Sequence, residues 1–214
     1  GFLAGDIEEN RLYLKSEDYF DKNNIHIIRN CKAIAIDRNN KTVLLENQNQ
    51  LGYEKLIIAT GSIVNKLKTS SRATDLYYLR TIGDSLKIRE KLRNQNRITI
   101  IGAGYIGLEI ASIAIKKNLE VNIVELENRV MGRVVSSEVS DFFQNKHQSE
   151  GVKFKFNTSV TDIENQGKQK RIICSDGSVL STDIAVIGVG IKPNVELAQS
   201  SGLECDNGII VDDN

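Results

Sequence analysis

Residues 98–109 read ITIIGAGYIGLE, and this stretch decides the fold. The apolar run Ile98–Ile101 has the composition of a strand buried on both faces, and it leads into a GxGxxG pattern at Gly102, Gly104 and Gly107. Between a strand and a helix, the first glycine of this pattern permits a tight turn and the second lets the backbone approach a pyrophosphate. The third lets the helix pack closely on the strand. The stretch therefore predicts a dinucleotide-binding turn.

The residues that follow complete a strand–helix–strand unit. Leu108–Lys117 places apolar side chains on one helical face, and its terminal lysines suit the negative end of a helix dipole. Asn118 is predicted to end this helix in the left-handed conformation. Val121–Val124 is the next strand-like run, so the segment has the order of a parallel βαβ unit. The free N–H groups at the helix N-terminus would then face the phosphates of a bound dinucleotide.

A carboxylate follows the second strand at the distance that this motif requires. Glu125 comes 18 residues after Gly107, where an acidic residue accepts hydrogen bonds from the ribose 2′-hydroxyl of a dinucleotide. Because a carboxylate repels a 2′-phosphate, the sequence favours NAD over NADP. Arg129 and Arg133 lie close enough to soften that preference, although a solvated surface charge explains Arg129 equally well. Glu109 either stabilises the helix N-terminus or faces the reactive end of the dinucleotide.

Composition argues against several other classes of function. Twenty-eight basic residues balance 28 acidic residues among 214, so we expect neither a nucleic-acid surface nor a polybasic membrane anchor. No apolar run reaches the roughly 18 residues of a membrane span. Cys31, Cys174 and Cys205 form no CxxC pair and no zinc pattern, so a reducing cytoplasm is expected. His26 and His147 lack neighbours at metal-ligand spacing, so no metal site is predicted.

Two parts of the chain resemble each other. Residues 25–61 and 152–188 each run from a short strand through a meander to a buried strand that ends at a glycine. In the first copy the predicted outer strands are Ile25–Ile28 and Leu56–Ala59. The shared length and order predict a duplication. A glycine-rich βαβ unit precedes the second copy alone, so the corresponding half of the first copy is expected upstream of Gly1.

Several motifs in a fixed order resemble one known family. They are LIIATGS at 56–62, YLRT at 78–81 followed by Asp84, GAGYIGLE at 102–109, VSDFF at 139–143 with His147 and Gly151, GVGIKPN at 188–194, and NGIIVD at 207–212. Together they resemble the two-dinucleotide-binding flavoproteins. The closest branch is the FAD-dependent, NADH-using reductases that serve ferredoxin or rubredoxin.

The resemblance implies an α/β fold with two Rossmann-like, FAD/NAD(P)-binding three-layer domains, the first incomplete and each with a β-meander. The implied division is a partial FAD-binding domain at 1–72, an NAD(H)-binding domain at 73–190 and a segment returning to the FAD-binding domain at 191–214. In this family NADH reduces the flavin, which passes electrons to a small iron–sulfur or rubredoxin carrier. Because the flavin carries the chemistry, no catalytic protein residue is expected.

The resemblance also assigns the cofactor contacts. The residues implied to bind NAD are Gly102, Gly104, Tyr105, Ile106 and Gly107 at the pyrophosphate, Glu109 near the nicotinamide, Glu125 at the ribose, Arg133 at the adenosine end, and Gly188, Val189 and Gly190 on the nicotinamide side. The residues implied to bind FAD are Ala33 at the adenine and Ala59, Thr60 and Gly61 near the flavin.

The sequence departs from the family in four features. Ile63-Val64-Asn65 stands where the family has an Arg-Pro-Arg-like stretch, and neither the N-terminal FAD fingerprint nor the later Gly-Asp motif is found. The family's C-terminal interface domain is also missing. Two alternatives therefore stay open. Besides the ferredoxin or rubredoxin reductase, the first alternative is another branch of the superfamily, such as an NADH oxidase, a nitrite reductase flavoprotein segment or a monodehydroascorbate-reductase-like enzyme. The second is an NAD-binding module without turnover, either a truncated fragment or a redox sensor.

Overall fold

The computed structural model describes residues 1–70 and 73–212. The chain divides into two compact units. Unit 1 comprises Gly1–Glu8 and Val64–Gly190, and unit 2 comprises Glu9–Ile63 and Ile191–Asn214. These units are defined by packing, so the division by cofactor at 1–72, 73–190 and 191–214 stays a prediction.

In chain order, the described strands are β1 (Ala33–Asp37), β2 (Thr42–Leu45), β3 (Gln50–Gly52), β4 (Ser62–Val64), β5 (Leu76–Tyr78), β6 (Arg97–Ile101), β7 (Glu120–Val124), β8 (Lys153–Lys155), β9 (Val160–Gln166), β10 (Gln169–Cys174), β11 (Val179–Thr182), β12 (Ile184–Ile187), β13 (Ile191–Pro193), β14 (Cys205–Asp206) and β15 (Gly208–Ile209). The described α-helices are α1 (Glu17–Lys22), α2 (Ile82–Lys91), α3 (Tyr105–Lys116), α4 (Ser137–Ser149) and α5 (Glu196–Ser200), and 3-10 turns lie at Glu9–Leu12 and Leu92–Asn94.

Unit 1 is built on a five-stranded parallel sheet in the order β5-β12-β6-β7-β8. Both faces of its central strand β6 are covered, as the unbroken apolar run predicts. Ile98 and Ile100 pack in a core with α2 and α3, whereas Ile101 packs in a second core with β9 and β10. The unit therefore has three layers, with helices on one face of the sheet and an antiparallel meander, β9–β11, on the other.

Helix α3 connects β6 to β7 and confirms the predicted βαβ order. It begins at Tyr105, three residues before the predicted start, because Gly104 takes the extended N-cap conformation inside the glycine motif itself. The helix ends at Lys116, and Asn118 has the predicted left-handed backbone with a φ of 61°. Helix α4 begins at Ser137, one residue after its extended N-cap.

The structure confirms the duplication. Helices α1 and α4 end 127 positions apart, and at the same offset each is followed by left-handed residues, Asn24 and Gly151, then Asn30 and Asn157. Strands β1 and β9 begin at this offset, as do β2 and β10, and both copies fold as three-stranded antiparallel meanders. Unit 2 therefore contains the first meander, to which it adds the two-stranded ribbons β4–β13 and β14–β15.

Two strands predicted in the first copy are wrong. Ile25–Ile28 and Leu56–Ala59 have no regular secondary structure. The equivalent residues of the second copy, 152–155 and 183–186, lie in or directly beside β8 and β12 of the parallel sheet. In the second copy those positions pair with β7 and β6. Unit 2, over its described residues, contains no counterpart of β6 or β7. An apolar run without a hydrogen-bonding neighbour cannot complete a sheet, so both segments stay irregular.

Among the described residues, no helix is long and apolar enough to cross a membrane.

The repeat supplies a matched pair of substitutions. Ile184 is 1% exposed and packs in the core with α2 and α3, whereas Ile57 is 89% exposed at the equivalent position 127 residues earlier. We expect Ile184→Ala to lower the free energy of unfolding by about 2–5 kcal/mol, because a buried isoleucine leaves a cavity. Ile57→Ala should change it by less than about 0.5 kcal/mol. Urea denaturation followed by circular dichroism measures both, and equal losses would contradict the exposure of Ile57.

Candidate dinucleotide site

The glycine turn lies where the carboxyl ends of three neighbouring strands meet. It follows β6, which has β12 on one side and β7 on the other. The Gly102 N–H donates to the Val124 carbonyl at 2.8 Å, and the Gly188 N–H donates to the Ile101 carbonyl at 2.7 Å. Strand order reverses direction at β6, and such switch points are where open α/β sheets bind their ligands. The structure thus unites three segments that are far apart in sequence.

Each glycine of the motif has a separate steric reason. Gly102 has a φ of +104°, and a Cβ there would overlap the carbonyl oxygen of Gly188. A Cβ on Gly107 would overlap the carbonyl oxygen of Gly102, so helix and turn pack without a side chain between them. A Cβ on Gly104 would meet no heavy atom within 4 Å. The first and third glycines therefore serve the fold, while the second borders open space, as the predicted approach of a pyrophosphate requires.

The N-terminus of α3 faces that space with unpaired donors. Gly104 has no side chain to cap the helix, so the first-turn N–H groups are left for an external acceptor. Tyr105 and Ile106 are 57% and 39% exposed, as residues beside a binding surface would be. Glu109 is also exposed, one turn further along α3. These features fit the phosphates of a dinucleotide.

Glu125 is held against the turn by backbone hydrogen bonds. Its carboxylate accepts from the Ala103 N–H at 2.5 Å and from the Glu127 N–H at 2.9 Å. A carboxylate has about four acceptor positions, so two remain for further donors such as ribose hydroxyls. The half-buried Glu125 therefore links the turn to the place where a ribose would lie.

The two arginines after β7 differ in their surroundings. Arg129 is half-buried and donates to the carbonyl oxygens of Gly132 and Val135, so the interpretation of it as a solvated surface charge is wrong. Its guanidinium is bound within its own loop. Arg133 is exposed, and its predicted contact with adenosine stays a prediction.

Asn65 is a site residue that sequence reasoning missed. Its N–H donates to the Gly190 carbonyl at 3.0 Å and its Nδ2 to the Val189 carbonyl at 3.4 Å. It thereby holds the Gly188–Gly190 segment, which lies beside the glycine turn. Asn65 belongs to the stretch that departs from the family pattern, so the sequence offered no signal for this role.

The second predicted group, Ala33, Ala59, Thr60 and Gly61, lies in unit 2. Thr60 Oγ1 donates to the Asn194 carbonyl at 2.6 Å, and Asn194 Nδ2 donates back to the Thr60 carbonyl at 3.0 Å. The Asn194 N–H also donates to the Gly61 carbonyl at 2.9 Å. This reciprocal contact joins the ATG motif to the GVGIKPN motif. Within the described part of unit 2, no glycine-rich turn connects a strand to a helix, so FAD phosphates would lack a cradle there.

No group of three or more His, Cys, Asp or Glu side chains in the described residues is arranged to hold a metal ion. Cys31, Cys174 and Cys205 are free thiols. Burial raises the pKa of the Cys174 thiol, which disfavours the reactive thiolate. Burial also lowers the pKa of His147, so this histidine favours its neutral form.

Comparison with known proteins places this geometry in context. The sequence profile of a family described as pyridine nucleotide-disulphide oxidoreductase matches residues 4–214. Putidaredoxin reductase from Pseudomonas putida is 36% identical over 99% of this chain and 52% of its own length. Rubredoxin–NAD(+) reductase from the same organism is 34% identical over 99% of this chain and 56% of its own length.

Solved structures of reductases also match nearly the whole of this chain. A ferredoxin reductase from Rhodopseudomonas palustris matches with a TM-score of 0.92 and 36% identity, covering 98% of this chain and 52% of that protein. The reductase in a covalent putidaredoxin reductase–putidaredoxin complex matches with a TM-score of 0.90, 36% identity, and coverage of 97% and 51%. The chain therefore spans about half the length of the curated relatives it matches.

The steric differences among the glycines give a test of the site. Gly104→Val adds a side chain toward open space, so it should abolish NADH binding while leaving the midpoint of thermal unfolding nearly unchanged. Gly107→Ala should lower that midpoint, because its Cβ would overlap a backbone carbonyl. Calorimetric titration and thermal denaturation measure the two effects. Normal NADH binding by folded Gly104→Val would show that the turn is only structural.

Proposed function

Because the chain belongs to the pyridine nucleotide-disulphide oxidoreductase family, we propose that it is the NADH-binding part of an FAD-dependent reductase that serves a ferredoxin- or rubredoxin-type carrier. The observation that carries this proposal is the glycine turn at the switch point of the parallel sheet, with Glu125 bound to it. The relatives named as putidaredoxin and rubredoxin–NAD(+) reductases support the class of acceptor. Electrons would pass from NADH through flavin to the carrier.

The turn and the start of α3 would bind the dinucleotide. Gly104 leaves room for the pyrophosphate, and the N–H groups of Tyr105, Ile106 and Gly107 would donate to its oxygens. Gly102 would contribute indirectly by letting the backbone of Gly188 approach. These backbone donors are already oriented before binding, so little ordering cost opposes association.

Two ends of the bound nucleotide would meet different residues. At the adenosine end, Glu125 would accept from the ribose 2′-hydroxyl, and the exposed Arg133 would lie close by. At the nicotinamide end, Glu109 and the Gly188–Gly190 segment would lie beside the ring. A negative charge at Glu125 favours NADH over NADPH, because the 2′-phosphate of NADPH would be repelled.

Unit 2 would contribute contacts to FAD through Ala33, Ala59, Thr60 and Gly61. When bound, the flavin accepts hydride and releases single electrons. The Asn194 contacts fix the backbone of Thr60 and Gly61, so these residues would offer a rigid surface to the cofactor. The NAD side of the molecule fits its ligand more completely than the FAD side, because the sequence contains one GxGxxG pattern and it lies in unit 1.

We place the reductase in the cytoplasm, which fits its three free cysteines and its expected use of NADH.

One observation favours a second function, that of an NAD-binding fragment without turnover. The segments Ile25–Ile28 and Leu56–Ala59 of unit 2 have no strand partners, and Ile57 is almost fully exposed. In that case NADH would bind to unit 1 while FAD would not be retained. Another branch of the superfamily would share both sites and reduce a different acceptor.

Flavin retention separates the two functions. For the reductase function to hold for this chain itself, the purified 214-residue chain, incubated with FAD and desalted, must keep a visible flavin absorption band that NADH bleaches under anaerobic conditions. The Gly104→Val variant is the control, since it should keep the flavin and lose the bleaching. A chain that binds NADH but retains no flavin would be a nucleotide-binding fragment, and the reductase activity would be contradicted for this chain.

Nucleotide preference tests the role of Glu125. Glu125→Arg should weaken NADH binding and strengthen NADPH binding, each by about tenfold or more, because an attractive charge replaces a repulsive one. Glu125→Gln should weaken NADH less, since an amide oxygen still accepts a hydrogen bond. Titration with both nucleotides gives the ratio of dissociation constants. An unchanged ratio in a folded Glu125→Arg protein would eliminate the assigned role.

A further inference from the structure

The loop from Leu126 to Ser136, called the β7–α4 loop below, is held more firmly than a surface connection requires. Met131 has a left-handed backbone with a φ of 50°, which a bulky side chain rarely adopts. Its side chain is nevertheless 4% exposed, within the core formed with α2 and α3. Such a conformation persists only where the surroundings impose it.

The Arg129 side chain binds backbone carbonyls of its own loop. Its Nη2 donates to the Gly132 carbonyl at 2.8 Å and to the Val135 carbonyl at 3.2 Å, while Nη1 donates to the same Val135 carbonyl at 3.2 Å. The planar guanidinium therefore bridges two backbone oxygens three residues apart. A lysine ammonium is a compact point charge without this fork, so it cannot reproduce both contacts in the same geometry.

A second bond ties the loop to α4. The Ser140 hydroxyl, fully buried, donates to the Val130 carbonyl at 2.6 Å. The bond lies on the opposite side of Met131 from the two carbonyls that Arg129 holds. Together the Arg129 and Ser140 side chains fix the backbone on both sides of the left-handed residue.

The loop is connected in turn to the glycine turn. The Met131 N–H donates to the Ala103 carbonyl at 3.0 Å, and the Ala103 N–H donates to the Glu125 carboxylate. Ala103 is thus bound at both of its backbone groups. Its N–H is held by Glu125, which lies just before the loop, and its carbonyl is held by Met131 within the loop. A displacement of the loop would therefore move Ala103, and with it the glycine turn and the hydrogen bond to Glu125.

From these contacts we infer that Arg129 is a positioning residue that orders the adenosine half of the NADH site. It acts through the β7–α4 loop and Ala103, and it makes no contact with the nucleotide itself. The inference rests on the proposed NADH binding at this turn. Because Glu125 marks the ribose end, the effect of Arg129 is confined to the adenosine part of the ligand and spares the nicotinamide part.

Binding of partial ligands isolates this role. We expect Arg129→Met to raise the dissociation constants of NADH and ADP-ribose about tenfold, as loss of a charge-assisted hydrogen-bond pair would. The dissociation constant of reduced nicotinamide mononucleotide, which lacks the adenosine half, should not change. Arg129→Lys should lose most of the same affinity, because it keeps the charge without the fork. Arg93→Met, an exposed arginine on the 3-10 turn after α2, is the matched control for loss of one charge.

Ser140→Ala tests the same role by removing the other side-chain bond that holds the loop, the one from Ser140 to the Val130 carbonyl. It should weaken ADP-ribose and spare the mononucleotide, and the double variant with Arg129→Met should lose less than the product of the two single effects, since both residues hold one loop. Thermal denaturation establishes that each variant is folded.

The outcomes separate the inference from the function on which it rests. Unchanged ADP-ribose binding by folded Arg129→Met, or full rescue by Arg129→Lys, would overturn the positioning role, and so would equal weakening of the mononucleotide. An unsubstituted chain that binds neither NADH nor ADP-ribose would instead overturn the proposed function.

Discussion

The close approach of two backbone segments at the carboxyl ends of β6 and β12 is the constraint on which the site depends. Gly102 carries no Cβ, so the carbonyl of Gly188 can lie against it, and the Gly188 N–H completes the contact by donating to Ile101. A side chain at Gly102 would force these strand ends apart. The position of Gly188 beside the glycine turn depends on this contact, and Asn65 holds the remainder of the Gly188–Gly190 segment.

Hydrogen bonds to charged side chains also hold the site together. The Glu125 carboxylate binds the Ala103 amide inside the glycine turn, so the group expected to select the ribose also shapes the turn. Hydrogen bonds to a carboxylate are stronger than those between neutral groups, so the bond between Glu125 and Ala103 stabilises the turn before any ligand binds. Met131 and Arg129 extend the same network into the following loop. The residue proposed to select the nucleotide is therefore also one that holds the glycine turn together.

The duplication shows how far local sequence specifies structure. The helix ends, left-handed residues and meanders of the two copies agree at one offset, because each depends on neighbours within a few residues. The outer strands do not agree. Ile184–Ile187 is a buried strand between two neighbours, whereas Leu56–Ala59 has a similar composition and no regular structure. A strand exists only where another backbone satisfies its hydrogen bonds, so composition alone could not distinguish the two.

The sequence by itself determined the βαβ unit, the meanders, the left-handed Asn118 and the residues of the glycine turn, because each follows from spacing over a short stretch of chain. Tertiary structure alone decided which strands found partners, and it alone revealed that Asn65 holds the Gly188–Gly190 segment beside the turn. It also decided that Arg129 is bound to its own loop. These contacts join residues whose separation in the chain carries no periodic signal, and whether they form depends on which backbone groups remain unpaired once the sheet has assembled.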